Sequence, residues 1–96
     1  MKAVLSVALT AVVLGTVSAS AQQLDLAALR CREFLDGSKE QANLIGMWLQ
    51  GYYSEENAAP VVDFDKMRTN LNRISDYCRR FPNHSVSTAA EKVMGQ

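Results

Sequence analysis

The sequence is poor in the residues from which catalytic and metal sites are usually built. Its 96 residues include one histidine, His84, and two cysteines, Cys31 and Cys78. The cysteines do not form a CxxC pair, no histidine lies at metal-ligand spacing from either, and no glycine-rich phosphate-binding loop is present. His84 follows a Pro-Asn pair typical of a turn, which favours a surface or capping role. We therefore expect no enzymatic activity, no bound metal and no cofactor.

Neither sign of charge is in excess. Lysine plus arginine and aspartate plus glutamate each number 10, and no basic stripe is present, which argues against a nucleic-acid-binding protein. The chain from Gln22 onward lacks Lys2, so its side-chain charge near neutral pH is −1. At strongly acid pH the carboxylates are protonated and His84 is charged, which moves this total to +10.

Long apolar runs are absent except at the N-terminus. Met1-Lys2 forms a short positive region, residues 3–17 are almost all apolar or small, and Ala19-Ser20-Ala21 matches the A-x-A cleavage pattern. This order predicts a secretory signal peptide over residues 1–21, with residues 22–96 as one small domain. No later run approaches the roughly 18 apolar residues that a membrane-spanning helix needs. We expect an exported protein that leaves the membrane after cleavage.

Two cysteines in an exported chain favour one disulfide, with free or intermolecular thiols as the alternatives. Cys31 and Cys78 are 47 positions apart (78 − 31 = 47), so a bridge between them would close most of the domain. The loop-entropy model assigns such a bridge a stabilisation of about 4 kcal/mol.

Apolar residues recur at helical spacing in four segments, which predicts an all-α bundle of about four helices. The first segment is expected to include Leu24 and Ala28 and to end at Gly37. The second opens with the capping-box pair Ser38 and Gln41 and continues to about Tyr53. The third follows a cap at Asp63 or Asp65, and the fourth a cap at Ser85 or Ser87. The third helix carries its apolar face at Met67, Leu71, Ile74, Cys78 and Phe81, before Pro82.

Residues 41–53 hold no group that titrates below neutral pH. Their apolar side chains cover an arc of about 180°, whereas a helix on a single small core usually needs a stripe of about 100°. One interpretation is that they form the domain core, and the other is that part of them contacts a second copy or a non-native polypeptide. The candidate surface for dimer or client contact comprises Leu44, Ile45, Trp48, Leu49, Tyr52 and Tyr53.

Acid would neutralise carboxylates on the neighbouring helices while this segment stays chemically unchanged. Asp63 and Asp65 lie at a predicted helix N-terminus, where a negative charge is stabilising. Asp76 is spaced to pair with Arg80, and Asp65 with Arg68. We regard Asp63, Asp65 and Asp76 as candidate acid-sensing carboxylates.

Two cysteine motifs carry a family resemblance. Cys31-Arg32-Glu33-Phe34-Leu35, Trp48 and Tyr77-Cys78-Arg79-Arg80-Phe81-Pro82 resemble the HdeA/HdeB family of periplasmic acid-stress chaperones, and the last motif is closer to HdeB. The resemblance covers about residues 30–94 and implies an all-helical periplasmic domain with a Cys31–Cys78 disulfide. It also implies a homodimer near neutral pH and ATP-independent holding of unfolding proteins in acid. The alternative is a small periplasmic binding or structural protein with this scaffold and one dedicated protein partner.

Overall fold

Four helices make up the regular structure of residues 23–95, the part of the chain that the computed structural model describes. They are α1 (Cys31–Asp36), α2 (Lys39–Tyr52), α3 (Phe64–Arg80) and α4 (Val86–Met94). The predicted all-α class is therefore confirmed. The predicted signal peptide lies outside the described residues. Within those residues, no helix is both long enough and apolar enough to span a membrane.

Helix α3 is the centre of the domain, because it packs against each of the other three helices. Its apolar face repeats at three- and four-residue spacing, and it begins at Asp63, whose carboxylate accepts a hydrogen bond from the Lys66 backbone N–H at 3.0 Å. Asp65 lies in the first turn and is not the cap. Phe81, predicted as part of the buried face, follows the last helical residue and is 41% exposed. The core side chains of α3 are Met67, Leu71, Ile74, Tyr77 and Cys78.

Helix α1 begins later than the sequence pattern predicted. The Asp25 backbone carbonyl accepts hydrogen bonds from the N–H groups of Ala28 and Leu29, and the Asp25 carboxylate accepts one from Ala27. These bonds close a turn, and the chain leaves it in an extended conformation at Arg30. The prediction that Leu24 and Ala28 lie on the buried face of a helix is therefore wrong, because the Asp25 turn satisfies the same backbone groups without continuing into α1.

The disulfide between Cys31 and Cys78 joins the start of α1 to the last turn of α3 and confirms the predicted pairing. Both cysteines are fully buried. The segment around Cys31 is also held by backbone hydrogen bonds to the chain between α3 and α4 and to the first two residues of α4. These bonds are Cys31 N–H to His84 O (2.8 Å), Arg32 N–H to Pro82 O (3.0 Å), Val86 N–H to Leu29 O (2.9 Å) and Ser87 N–H to Leu26 O (3.0 Å).

Side chains reinforce this junction. The Arg30 guanidinium donates to the Asn83 carbonyl at 2.8 Å, and the Arg32 guanidinium donates to the Asn83 side-chain oxygen at 2.7 Å. Arg32 therefore contacts the turn before α4. The exposed His84 ring shares a 2.7 Å hydrogen bond between Nδ1 and the Tyr77 hydroxyl, as suits the surface role expected for it. The junction thus fixes α1, α3 and α4 to one another.

Reduction of the disulfide should destabilise the domain strongly. Freeing Cys31 from Cys78 restores the conformational freedom of a loop of 47 residues in the unfolded chain, so we expect the free energy of unfolding to fall by about 4 kcal/mol. Urea unfolding of the oxidised and reduced proteins, followed by circular dichroism, measures this difference. A shift below about 1 kcal/mol would mean that the backbone junction alone holds the fold.

Helix α2 lies close to the Leu71 side chain of α3 at Gly46. A Cβ atom placed there would lie 2.8 Å from Leu71 Cδ1 and 2.9 Å from Leu71 Cγ, whereas a Cβ at Gly51 would meet no atom within 4 Å. Only a glycine at position 46 lets α2 rest on Leu71 without displacing it.

Alanine substitutions at the two glycines should have opposite effects. Gly46→Ala should destabilise the domain by about 1 kcal/mol, since overpacking costs about 1–3 kcal/mol and improved helix propensity returns at most about 1 kcal/mol. Gly51→Ala, the matched control, should be neutral or stabilising by up to about 1 kcal/mol. Thermal or urea unfolding measures the stability of the two variants. Equal stabilisation by Gly46→Ala and Gly51→Ala would contradict the close packing at Leu71.

Candidate functional site

The structure divides the six candidate residues of α2 and its C-cap into two groups. Ile45 is 5% and Leu49 2% exposed, and both pack in the core. Leu44 is 65%, Trp48 56% and Tyr52 65% exposed, and they follow one another at four-residue spacing along one side of the helix. Tyr53 lies between the two groups in exposure. Ile45 and Leu49 thus belong to the core and contribute little exposed surface, while the role of the six residues in dimer or client contact stays a prediction.

An open groove of about 980 Å³ lies between α2, α4 and the turn that precedes α1. Its floor includes Ile45 and Leu49, and one wall is formed by the exposed residues of α2. Helix α4 and the chain before α1 form the remaining walls. The residues lining the groove are Leu24, Asp25, Leu26, Ala27, Gln41, Leu44, Ile45, Trp48, Leu49, Tyr52, Tyr53, Ser87, Thr88, Glu91 and Lys92.

Three aromatic rings run along the α2 wall. The Trp48 and Tyr52 rings are stacked, with centroids 5.0 Å apart and planes at 16°. The Tyr52 and Tyr53 rings meet edge to face at 5.0 Å. Rings packed against one another in this way restrict each other's rotamers, and aromatic side chains lose little conformational entropy when they bind a partner. This wall is suited to apolar contacts with another molecule.

The Tyr53 hydroxyl crosses the groove to α4 and donates a 3.0 Å hydrogen bond to Glu91 Oε1. Partial burial is the main reason why the pKa of Tyr53 is raised to about 12. The Glu91 carboxylate adds to this increase, because it accepts a hydrogen bond from the protonated hydroxyl and its negative charge disfavours a phenolate beside it. Glu91 and the groove residues Leu24 and Leu26 were not among the predicted site residues. No sequence pattern brings Glu91 to Tyr53, since 38 positions separate them.

The candidate acid-sensing carboxylates lie elsewhere, and none of them lines the groove. Asp63 caps α3, and its backbone carbonyl accepts a 3.2 Å hydrogen bond from the Gln50 side chain of α2. Asp65 pairs with Arg68 at 2.5 Å, as predicted. Asp76 pairs with Arg79 at 2.6 Å instead of the predicted Arg80.

Both ion pairs are more than 60% exposed, and such pairs contribute between 0 and about 1 kcal/mol. Of these three residues, only Asp63 makes a hydrogen bond with α2, and it does so through its backbone carbonyl. Residues 23–95 contain no group of three or more histidine, cysteine, aspartate or glutamate side chains placed to hold a metal ion.

The fold and groove define a small helical protein, clamped by a disulfide, with an open aromatic face. The model of the HdeA/HdeB family matches residues 2–88, which is most of the chain. The protein therefore belongs to the HdeA/HdeB family, whose members are periplasmic acid-stress chaperones. The match is to the family as a whole, and the closer similarity to HdeB stays a prediction. No curated protein and no solved structure matches the chain.

The Tyr53–Glu91 contact predicts a specific pH dependence at the alkaline end. Because the pKa of Tyr53 is raised from 10.0 to about 12, the folded state holds the phenol proton more tightly than the unfolded state. The associated stability is fully present below pH 10 and is lost as the pH rises towards 12. Ultraviolet difference absorbance should detect one tyrosine that titrates late.

Glu91→Gln tests the assignment of that late titration. The substitution keeps a hydrogen-bond acceptor but removes the carboxylate charge, so the pKa of Tyr53 should move towards 10 while its partial burial still holds it above that value. Tyr53→Phe should remove the late phase altogether. Persistence of the late phase in Tyr53→Phe would assign it to Tyr52 or Tyr77.

Proposed function

We propose that this chain is an ATP-independent periplasmic holdase that binds unfolding proteins at low pH and limits their aggregation. The observation that carries the proposal is the groove beside α2, with Leu44, Trp48 and Tyr52 exposed along one wall. Exposed apolar side chains in such number along one groove are typical of a protein-binding surface. Non-native polypeptides present apolar segments of the kind that such a surface binds.

The chemistry of this wall supports binding in acid. Residues 41–53 include no carboxylate and no histidine, so acid leaves their apolar character unchanged. The ionisable groups on the opposite side of the groove are Asp25, Glu91 and Lys92. Acid neutralises the two carboxylates, and the desolvation cost of covering the groove with an apolar segment falls accordingly.

Total charge supports solubility of the complexes. The chain from Gln22 onward reaches +10 when its carboxylates are protonated and His84 is charged. Like charge on neighbouring complexes opposes their association. The positive groups are spread over the domain, with Lys92 the lysine closest to the C-terminus. Solubility in acid therefore depends on the charge of the whole domain.

Near neutral pH, we propose that the same wall packs against a second copy in a homodimer. A partner that covers Leu44, Trp48 and Tyr52 would remove these side chains from water without any change in the fold of either copy. Acid would then favour clients over the second copy, as both copies become strongly positive and repel each other.

Among the three candidate acid-sensing carboxylates, Asp63 has the strongest structural basis. Its protonation would weaken the cap of α3, an interaction worth about 1 kcal/mol, next to the Gln50 contact from α2. Asp65 and Asp76 would lose only exposed ion pairs. We propose that, among these three carboxylates, Asp63 contributes most to the loosening of the α2 side in acid, with smaller contributions from the other two.

The test is the aggregation of an acid-sensitive client protein between about pH 2 and pH 7, with and without the oxidised chain from Gln22 onward. A holdase suppresses the aggregation of unrelated clients in acid only. If clients aggregate equally at every pH, the chain has another role, and a dedicated periplasmic partner becomes the better account of the exposed groove.

Substitution of Trp48 tests the location of the site. Trp48→Ala removes the largest side chain of the groove wall, so the amount of chain needed to halve client aggregation should rise about tenfold, as for the loss of an aromatic hot spot. The helical fold and the disulfide should persist, since Trp48 is 56% exposed.

Met47→Ala is the matched control for that substitution. Met47 is 43% exposed on the same helix but does not line the groove, so its loss should leave protection near the wild-type level. Equal losses from Met47→Ala and Trp48→Ala would show that general surface apolarity matters and that the groove does not. Full protection by Trp48→Ala would exclude the groove wall as the client site.

A further inference from the structure

One polar contact ties the two sides of the groove together. Within residues 23–95, the bond from the Tyr53 hydroxyl to Glu91 is the only side-chain hydrogen bond between α2 and α4. The two helices are not among the closely packed pairs, because each rests mainly on α3. The last turn of α2 is therefore attached to α4 through this bond.

The Glu91 carboxylate also lies close to Gly95, the C-cap of α4. A Cβ atom at Gly95 would lie 2.6 Å from Glu91 Oε2 and 2.7 Å from Glu91 Cδ. The absence of a side chain at position 95 therefore leaves room for the carboxylate in the position from which Oε1 accepts the Tyr53 bond.

The same contact is connected to the aromatic wall. The Tyr53 ring touches Tyr52 edge to face, and Tyr52 stacks on Trp48. A displacement of Tyr53 away from Glu91 therefore moves the end of the aromatic row. The carboxylate of α4 is linked in this way to the surface on which the proposed client site depends.

Few other ionisable groups face this contact. Lys92 follows Glu91 on α4, Asp25 lies across the groove on the turn before α1, and Tyr52 adjoins Tyr53 on α2. Helix α3 faces α4 with a separate cluster near Lys92 and Val93. That cluster comprises Arg73, Asp76, Tyr77 and Arg80.

Helix α1 also packs against α4, and its ionisable groups are Arg32, Glu33 and Asp36. Glu33 is engaged with the backbone N–H of Arg30, and Arg32 with Asn83. Of all these groups, only Glu91 bonds Tyr53. Protonation of Glu91 is thus the change that alters this contact directly.

We propose that the Tyr53–Glu91 hydrogen bond is a latch that holds the last turn of α2 against α4, and that protonation of Glu91 weakens it and lets the groove widen. The proposal rests on the proposed holdase function, since it assigns that site its acid control. A carboxylate is a stronger acceptor than a neutral carboxyl group, so the bond weakens as Glu91 gains a proton. The raised pKa of Tyr53 agrees with a direct contact to the carboxylate.

Amide hydrogen exchange in the last turn of α2 tests the latch without any client. The reporting amide is Tyr53 N–H, which donates to Leu49 O at 3.0 Å. Glu91→Gln mimics the protonated carboxyl group, and Tyr53→Phe removes the donor. At neutral pH each variant should exchange this amide about three- to tenfold faster than the wild type, as expected for the loss of the net contribution of one typical hydrogen bond.

Two matched controls separate the latch from general effects of the substitutions. Tyr52→Phe removes a hydroxyl that makes no hydrogen bond within the described residues, and Glu56→Gln removes one charge from the exposed loop before α3. In both control variants the Tyr53 amide should exchange at the wild-type rate. Lowering the pH should accelerate the Tyr53 amide in the wild type, after correction for intrinsic exchange, and should accelerate it far less in Tyr53→Phe.

The outcomes distinguish the latch from the holdase function. Exchange that is identical in wild type, Glu91→Gln and Tyr53→Phe would overturn the latch, even if the wild type protects clients in acid. Acid-dependent exchange controlled by Glu91 and Tyr53 would support the latch, even if no client were protected. In that second case the holdase function would fail, while the conformational change in α2 would stand.

Discussion

The covalent bond between Cys31 and Cys78 is the constraint on which the rest of the domain depends. It joins α1 to α3 at the centre of a small core, where both cysteines are fully buried. Four backbone hydrogen bonds extend this junction to α4. A disulfide does not titrate, so this part of the molecule keeps its cross-link at a pH that protonates every carboxylate. Acid therefore leaves this cross-link in place while it changes the charges on the remainder of the domain.

Helix α2 is the part of the domain outside this junction. It rests on α3 through the close approach of Gly46 to Leu71 and is tied to its surroundings by few polar contacts. These are the Gln50 bond to the Asp63 carbonyl and the Tyr53 bond to Glu91. The Tyr53 bond ends on the Glu91 carboxylate, which acid neutralises, whereas the Gln50 bond ends on the backbone carbonyl of Asp63, whose carboxylate caps α3. The helix with the exposed aromatic wall thus has one attachment that depends directly on a titrating group.

Family membership agrees with a division of the domain into a disulfide-linked junction and a helix α2 that carries the exposed aromatic wall. The chain belongs to the HdeA/HdeB family of periplasmic acid-stress chaperones, and its structure combines a disulfide-linked core with an apolar wall on α2 that has no acid-titrating group. Wide exposure of Leu44, Trp48 and Tyr52 costs free energy in an isolated monomer. That cost is offset when a second copy or a client covers them, which is the basis of the function proposed above.

Much of the architecture could be predicted because it depends on local patterns. The caps at Ser38 and Ser85, the apolar repeat of α3 and the pairing of two cysteines in an exported chain are encoded within short segments or by residue counts. The start of α1 was predicted too early because the Asp25 turn competes locally with a helix.

The site was less predictable because tertiary packing decides it. Helical spacing shows that residues 41–53 are apolar over a wide arc, but only the position of α3 determines that Ile45 and Leu49 are buried while Leu44 and Trp48 are exposed. The choice of Arg79 over Arg80 as the partner of Asp76 depends on side-chain rotamers. Glu91 meets Tyr53 through the fold alone.

Clients should bind the α2 side of the groove while the disulfide-linked core stays folded. Hydrogen-exchange mass spectrometry of the oxidised chain in acid, with and without a bound unfolded client, distinguishes these two parts of the molecule. We expect client-dependent protection at residues 44–53 and 24–27, with slow exchange around Cys31 and in α3 whether or not client is present. Protection confined to other segments, or complete loss of slow exchange in α3 when a client is held, would contradict it.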